Sequence, residues 1–258
     1  AAANILASGA EPLAITDCLN YGDPNDPEIF WELHQSVQGM ADACREFNTP
    51  VISGNVSLYN ENNGQAIHPT PMVGMVGLIK NIDRVIPSFV QHPGDKVYLV
   101  GQTRDDYAGS ELQKMMTGDI SGIVKSFDLH HVHQYMQRLL TTMENGLVSS
   151  AHDLSEGGLG VALAETVFKT DLGLKIDLAD QPATRLFSET PGRFIVTVAP
   201  EKATEFEQVL GKDAHLIGEV TNSHWLMVKL ANGKLNESVA KLQKTWEEAI
   251  PCQLKSKD

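Results

Sequence analysis

The sequence has no apolar run long enough to cross a membrane and no signal peptide at its start. Its longest apolar stretch, Met72 to Ile79, is interrupted by glycines, whereas a membrane-spanning helix needs about 20 apolar residues. Only three of the 258 residues are cysteines, Cys18, Cys44 and Cys252, and none forms a Cys-x-x-Cys pair. This usage argues against a disulfide framework or a cysteine zinc site and is typical of a cytoplasmic protein with reduced thiols.

Positive charge is also scarce, because 20 Lys and Arg are set against 33 Asp and Glu, a formal net charge of −13. A surface this acidic repels the phosphodiester backbone, so we expect no nucleic-acid partner. An anionic substrate such as a nucleotide would need a metal ion, a helix N-terminus or a few placed cations. The 42% apolar and 21% charged content is that of an ordinary folded protein.

Strand and helix patterns alternate along the chain, which predicts an α/β or α+β fold with two subdomains. A segment with Pro87, Pro93 and Gly94 separates two parts of the chain that differ in their sequence patterns. We therefore place an N-terminal subdomain at residues 1–87 and a C-terminal α/β subdomain at residues 95–258. The chain starts without methionine, in what reads as the middle of a helix, so we expect the first subdomain to be incomplete at its start.

Polar groups follow two predicted strands of the first subdomain. Asp17 comes just after the strand at 13–16, and the segment 54–57 comes just after the strand at 50–53, with one helix between the two strands. If the strands are parallel, their carboxyl ends lie at the same edge of the sheet, where α/β proteins bind ligands.

The residue types in this pattern suit a bound magnesium nucleotide. Gly54 lets a ligand approach the backbone closely, Asn55 offers a hard oxygen for Mg²⁺, and Ser57 offers a hydroxyl. The alternative is structural, with a turn at 54–55, an Asp17 side chain that caps a backbone N–H, and a Ser57 that faces water.

A second candidate lies at residues 152–159, where a predicted strand leads through an acid and a glycine pair into an apolar helix. Free N–H groups at a helix N-terminus attract phosphate, and Asp153 could hold a metal against it, but a capped and closely packed helix explains the same residues. Arg193 could clamp an anion, although such an arginine is more often a surface residue. The histidines at 130, 131 and 133 indicate a solvated helix face rather than a zinc site.

Longer motifs around these residues resemble one enzyme family. The matching segments are residues 9–17, 20–24, 50–61, 69–77, 109–112 and 152–159. They closely resemble the small-type subunit II of phosphoribosylformylglycinamidine synthases, in the aminoimidazole ribonucleotide synthetase superfamily. The resemblance covers essentially the whole chain, but only the second of the two halves that such subunits carry in tandem.

This resemblance implies an ATP-dependent amidoligase of purine biosynthesis. Such an enzyme phosphorylates the amide oxygen of formylglycinamide ribonucleotide that the amidine nitrogen replaces, and ammonia from a glutaminase subunit then displaces the phosphate. A small accessory subunit is a further expected partner. The implied fold has an N-terminal subdomain that pairs strands into a shared barrel and a C-terminal three-layer α/β subdomain.

The family motif also assigns roles to individual residues. By resemblance, Asp17 and Gly54 bind ATP, Asn55 ligates Mg²⁺ and Ser57 contacts the ribonucleotide substrate. The family's catalytic histidines belong to the other half, so we expect no catalytic residue and no independent activity in this chain. The alternatives are a noncatalytic half that binds nucleotide and partner subunits, and a whole-enzyme relative such as a small-molecule kinase. A pocket with Asp153 and Arg193 could also hold a structural nucleotide.

Overall fold

The computed structural model describes residues 1–126 and 128–255 and builds them around two main sheets. The helices are α1 (Ala2–Ala7), α2 (Pro27–Phe47), α3 (Glu111–Thr117), α4 (Leu129–Glu144), α5 (Gly158–Glu165), α6 (Ala203–Leu210) and α7 (Val239–Lys255). The strands are β1 (Glu11–Asn20), β2 (Val51–Ser57), β3 (Glu61–Asn62), β4 (Gln65–Ala66), β5 (Thr70–Leu78), β6 (Lys96–Val100), β7 (Ser150–Asp153), β8 (Gly173–Leu178), β9 (Phe194–Val198), β10 (Ala214–Thr221), β11 (Trp225–Leu230) and β12 (Gly233–Ser238). None of these helices is both long and apolar enough to span a membrane.

The first sheet has three strands in the order β2-β1-β5, so that β2 and β5 form its edges. Strand β1 pairs with β2 in the parallel orientation that the shared sheet edge requires, and with β5 in the antiparallel orientation. Helix α2 connects β1 to β2 and begins where Asp26 accepts a hydrogen bond from the backbone N–H of Glu28 at 2.8 Å, with Pro27 in the first turn. Ile15 and Val73 of the sheet line a cavity together with α2, so this helix covers one face of the sheet.

The second sheet has seven strands in the order β12-β11-β8-β10-β6-β9-β7. Alternate residues of β6 enter two separate apolar clusters, Val97 and Leu99 on one face and Tyr98 and Val100 on the other. Helices α5 and α7 contribute to the first cluster, and α4 and α6 contribute to the second. This three-layer arrangement beside the three-stranded sheet confirms the predicted α+β fold with two subdomains, while the boundaries at 87 and 95 stay a prediction.

The predicted ends of two strands are wrong. Asp17 and the segment 54–57 do not follow their strands but lie inside them, because the parallel ladder continues to the pair formed by Asn20 and Ser57. After β2, the strands β3 and β4 form a short antiparallel hairpin. The alternating pattern of strands and helices in the sequence did not by itself predict β8, β10 and β12. In β8 the burial alternates through Leu174, Ile176 and Leu178, which is the signal that reveals it.

Candidate functional site

Asp17 and Gly54 are direct neighbours on the paired strands β1 and β2. A Cβ atom at position 54 would overlap Asp17 Oδ1 and lie 3.0 Å from Asp17 Cγ. The carboxylate therefore occupies the space that any larger residue at position 54 would need. The close approach of the Asp17 side chain is the reason for glycine at this position. The backbone conformation is not, because it is one that any residue can adopt.

Asn55 and Ser57 lie on the other face of the same strand. Asn55 pairs with Cys18, and its Nδ2 lies 3.8 Å from Cys18 Sγ, so these two side chains share one face. Because successive side chains of a strand point to opposite faces, Asp17 and Gly54 belong to the face that α2 covers. The structure thus places the Asp17 side chain against Gly54, and it places the Asn55 and Ser57 side chains on one face of β2. It does not place the Asp17 carboxylate against the Asn55 amide.

Because β2 is an edge strand, one ligand could contact both pairs of residues although they lie on opposite faces of the sheet. A ligand that lies along an edge strand can reach side chains of both faces, and Gly54 adds no side chain that would separate them. Ser57 ends the strand, and its hydroxyl donates to Asn60 Oδ1 at 3.1 Å, which leaves the lone pairs of Ser57 Oγ available as acceptors.

The donor atoms at this edge suit a hard cation. Mg²⁺ is usually held by one or two protein oxygens, with phosphate oxygens and water in the remaining positions. The Asn55 amide oxygen is a donor of that kind on one face of the sheet, and the Asp17 carboxylate is another on the opposite face. Across residues 1–126 and 128–255 there is no cluster of three or more His, Cys, Asp or Glu that could hold a metal ion alone.

The second candidate segment has a structural explanation. The N–H of Gly157, at the start of α5, donates to Glu189 Oε1 at 2.9 Å, and the N–H of Glu111 donates to the same oxygen at 2.9 Å. A carboxylate of the protein thus takes the place that a phosphate would occupy. Asp153 Oδ1 accepts a hydrogen bond from Asn4 Nδ2 at 3.2 Å, which links α1 to the end of β7. These contacts favour the capped and closely packed helix over the phosphate site.

Arg193 is neither an open anion clamp nor a surface residue, because it is fully buried. Its guanidinium donates to Thr190 O and Thr103 Oγ1, both at 2.9 Å, and to Ser188 O at 2.5 Å. Burial lowers the pKa of Arg193 to about 10, so the group still carries its charge at neutral pH. Arg193 therefore ties the segment before β9 to the loop after β6.

His130 and His133 are more than the solvated helix face that the sequence indicates, because they join α4 to α2 of the first subdomain. Nδ1 of His130 and Nδ1 of His133, both on α4, lie 2.9 and 3.0 Å from Glu46 Oε1 on α2. The ring Nε2 atoms are 2.9 and 3.0 Å from the side-chain amide nitrogens of Gln134 and Gln137, so each Nδ1 carries the hydrogen that Glu46 accepts. These hydrogen bonds lower the pKa of Glu46 below its ordinary 4.5. The partners are over 80 residues apart in the chain, at separations of 84 and 87.

Family models match both parts of the chain. The model for AIR synthase related protein, N-terminal domain, matches residues 1–79, and the model for the C-terminal domain matches residues 92–229. The chain is 96% identical over 258 residues to the phosphoribosylformylglycinamidine synthase subunit PurL of Limosilactobacillus reuteri (strain DSM 20016). It is 72% identical over 258 residues to the PurL subunit of Limosilactobacillus fermentum (strain NBRC 3956 / LMG 18251). Both matches cover 100% of this chain and 35% of the relative, so the chain spans about a third of their length.

Solved structures share the fold. PurL of T. maritima complexed with FGAR superposes with a TM-score of 0.73 at 23% identity, over 94% of this chain and 41% of that chain. The ATP complex of the same protein gives 0.70 at 23% identity, over 93% and 39%. The PurLQS structure from Thermotoga maritima gives 0.70 at 22% identity, also over 93% and 39%.

Proposed function

This chain belongs to the AIR synthase related family, and from that membership we propose that it forms part of a phosphoribosylformylglycinamidine synthase. The observation that carries the proposal is the 96% identity, over all 258 residues, to a subunit of that name. Because the match covers 35% of that subunit, the activity proposed is that of the longer protein. We expect this chain to contribute one wall of the active site and to show no turnover alone.

The proposed reaction is an ATP-dependent amide-to-amidine conversion. The γ-phosphoryl group of ATP is transferred to the glycinamide carbonyl oxygen of formylglycinamide ribonucleotide, which releases ADP. Ammonia then adds to the activated carbon, and the C–O bond to phosphate breaks with release of inorganic phosphate. The solved T. maritima complexes with ATP and with FGAR support the choice of substrates.

We assign the edge of β2 to the nucleotide. Asp17 and the backbone of Gly54 contact ATP, Asn55 ligates Mg²⁺ through its amide oxygen, and Ser57 contacts the ribonucleotide. When bound, Mg²⁺ screens the phosphate charges, which an acidic protein with a net charge of −13 cannot do with its own cations. The catalytic groups for phosphoryl transfer lie outside this chain.

The proposed partners are the remainder of the subunit, a glutaminase subunit and a small accessory subunit. The solved PurLQS assembly supports the subunit partners. Pairing through the N-terminal subdomain rests on the open edge of its sheet at β5 and on large apolar side chains exposed on β2 and β5. These side chains are Val51, Ile52, Val56, Met72, Val73, Val76 and Leu78. A cytoplasmic location belongs to the same proposal and rests on the free thiols of Cys18 and Cys44.

The test reconstitutes the complete subunit with its glutaminase and accessory partners and measures ADP release that depends on the ribonucleotide. We expect Asp17→Ala and Asn55→Ala to abolish most of this activity. Asn236→Ala is the matched control, since Asn236 is an exposed asparagine on β12, the edge strand of the other sheet. Full activity in both site variants would refute the site. Unchanged ATP dependence with weakened subunit association would support the noncatalytic alternative instead.

A further inference from the structure

We propose that Cys18 is a positioning residue that orients the side-chain amide of Asn55, so that the oxygen rather than the nitrogen is presented to the metal. The inference rests on the proposed function, because it needs Asn55 as a ligand of Mg²⁺. It assigns a task to a thiol that takes no part in the reaction.

Two amide groups converge on the Cys18 sulfur. Asn20 Nδ2 lies 3.7 Å and Asn55 Nδ2 lies 3.8 Å from Cys18 Sγ. Asn20 is held further by the backbone oxygens of Cys18 and Thr70, at 3.3 and 3.4 Å. Cys18 lies on the central strand β1, directly opposite Asn55 in the parallel ladder. The sulfur is therefore placed by the sheet backbone, not by a flexible loop.

The direction of this contact matters because the two ends of an amide differ chemically. Only the amide oxygen can ligate Mg²⁺, whereas the nitrogen carries two hydrogens and would repel a cation. Sulfur is a weak hydrogen-bond acceptor, so it engages the Nδ2 end of Asn55 and turns the Oδ1 end away from itself. As a soft ligand, a neutral thiol does not compete with Asn55 for a hard cation.

Serine and valine at position 18 should have different effects on the Asn55 amide. Serine keeps an acceptor at this place in the strand, and valine has a similar volume and a high strand propensity but offers no acceptor. The comparison of Cys18→Ser with Cys18→Val therefore separates the acceptor from the packing. Cys44, the other free cysteine described, lies on α2 and is the control position.

The experiment uses the complete subunit with its glutaminase and accessory partners and titrates Mg²⁺ at saturating ATP. For Cys18→Val we expect the Mg²⁺ concentration at half-maximal rate to rise about fivefold, the equivalent of one net hydrogen bond. The maximal rate at high Mg²⁺ should stay within about twofold, since the ligand itself is retained. Cys18→Ser should restore most of the wild-type Mg²⁺ dependence, and Cys44→Ala should leave it unchanged.

Two outcomes would overturn the inference. One is a wild-type Mg²⁺ dependence in Cys18→Val, and the other is an equal loss in Cys18→Ser and Cys18→Val, which would make packing the cause. Asn55→Ala, measured in parallel, separates this failure from a failure of the proposed function. If Asn55→Ala also keeps the wild-type Mg²⁺ dependence, the ligand assignment is wrong and the role of Cys18 falls with it.

Discussion

Replacing Gly54 with alanine tests the contact on which the nucleotide site depends. The new Cβ would overlap Asp17 Oδ1 and lie 3.0 Å from Asp17 Cγ. The overlapping atoms belong to the end of a side chain that can rotate, and the backbone oxygen of Asp17, 3.3 Å from the new Cβ, needs to shift only slightly. We therefore expect Gly54→Ala to displace the Asp17 carboxylate and to leave the fold intact.

The effects on stability and on function should differ in size. A rotation of Asp17 about 30° away from its preferred rotamer costs about 0.5–1.5 kcal/mol. Alanine in a strand recovers about 0.5–1 kcal/mol of the conformational entropy that glycine loses on folding. The free energy of unfolding should thus change by less than about 1 kcal/mol. Loss of one hydrogen bond to a charged group costs about 1.5–3 kcal/mol, which predicts a 10- to 150-fold loss in kcat/KM for ATP.

The assay is ADP release by the reconstituted subunit, combined with thermal unfolding. Gly39→Ala is the matched control, because Gly39 lies on α2 and a Cβ there meets nothing within 4 Å. A double-mutant cycle with Asp17→Ala identifies the path of the effect. If Gly54→Ala acts through Asp17, the double variant should be no worse than Asp17→Ala alone. Wild-type kinetics in Gly54→Ala, or additive losses in the double variant, would refute this reasoning.

Three further predictions concern one contact between the two subdomains and two contacts within the C-terminal subdomain. Glu46 has a lowered pKa, so its hydrogen bonds to His130 and His133 stabilise the fold fully above about pH 4.5 and are lost as the pH falls through that lowered pKa. Glu46→Gln should therefore lower the melting temperature at pH 7 and make it fall less steeply as the pH is lowered. If the melting temperature of the variant falls with acid as steeply as that of the wild type, Glu46 does not stabilise the fold through these hydrogen bonds. Arg193→Met leaves two buried carbonyl oxygens without their donors and should lower the free energy of unfolding by about 3 kcal/mol, while Arg193→Lys should recover little because it lacks the planar fork. Glu189→Ala removes the acceptor of two backbone N–H groups and should lower the free energy of unfolding, measured by heat or denaturant, by about 1–2 kcal/mol. Glu189→Gln keeps an acceptor and should lose less. Equal losses in the two variants would contradict this role.

Local signals predict the long helices α2 and α4 but not the short helix α3. The apolar spacing and the Asp26–Pro27 start predict α2, and the spacing from Leu129 to Met143 predicts α4, because helix periodicity and capping are encoded within a few residues. The strand ends could not be predicted in this way. Polar residues such as Asp17 continue β1 only because a second strand pairs with them, and that partner lies more than 30 residues further on.

The site was predictable in part for the same reason. The parallel pairing of β1 with β2 follows from the strand–helix–strand order, so the approach of Asp17 to Gly54 could be anticipated. The face on which each side chain lies depends on the register, and a shift of one residue would reverse it. The burial of Arg193 could not be predicted either. Its guanidinium is satisfied by the carbonyl oxygens of Ser188 and Thr190, and no local sequence pattern reveals these contacts.

The most direct test of the central claim is calorimetric titration of the complete subunit with an ATP analogue, with and without Mg²⁺. If the β2 edge holds the nucleotide's metal through Asn55, Mg²⁺ should strengthen binding to the wild-type protein and to Asn236→Ala, and this gain should be largely lost in Asn55→Ala. An equal Mg²⁺-dependent gain in all three proteins would contradict the account.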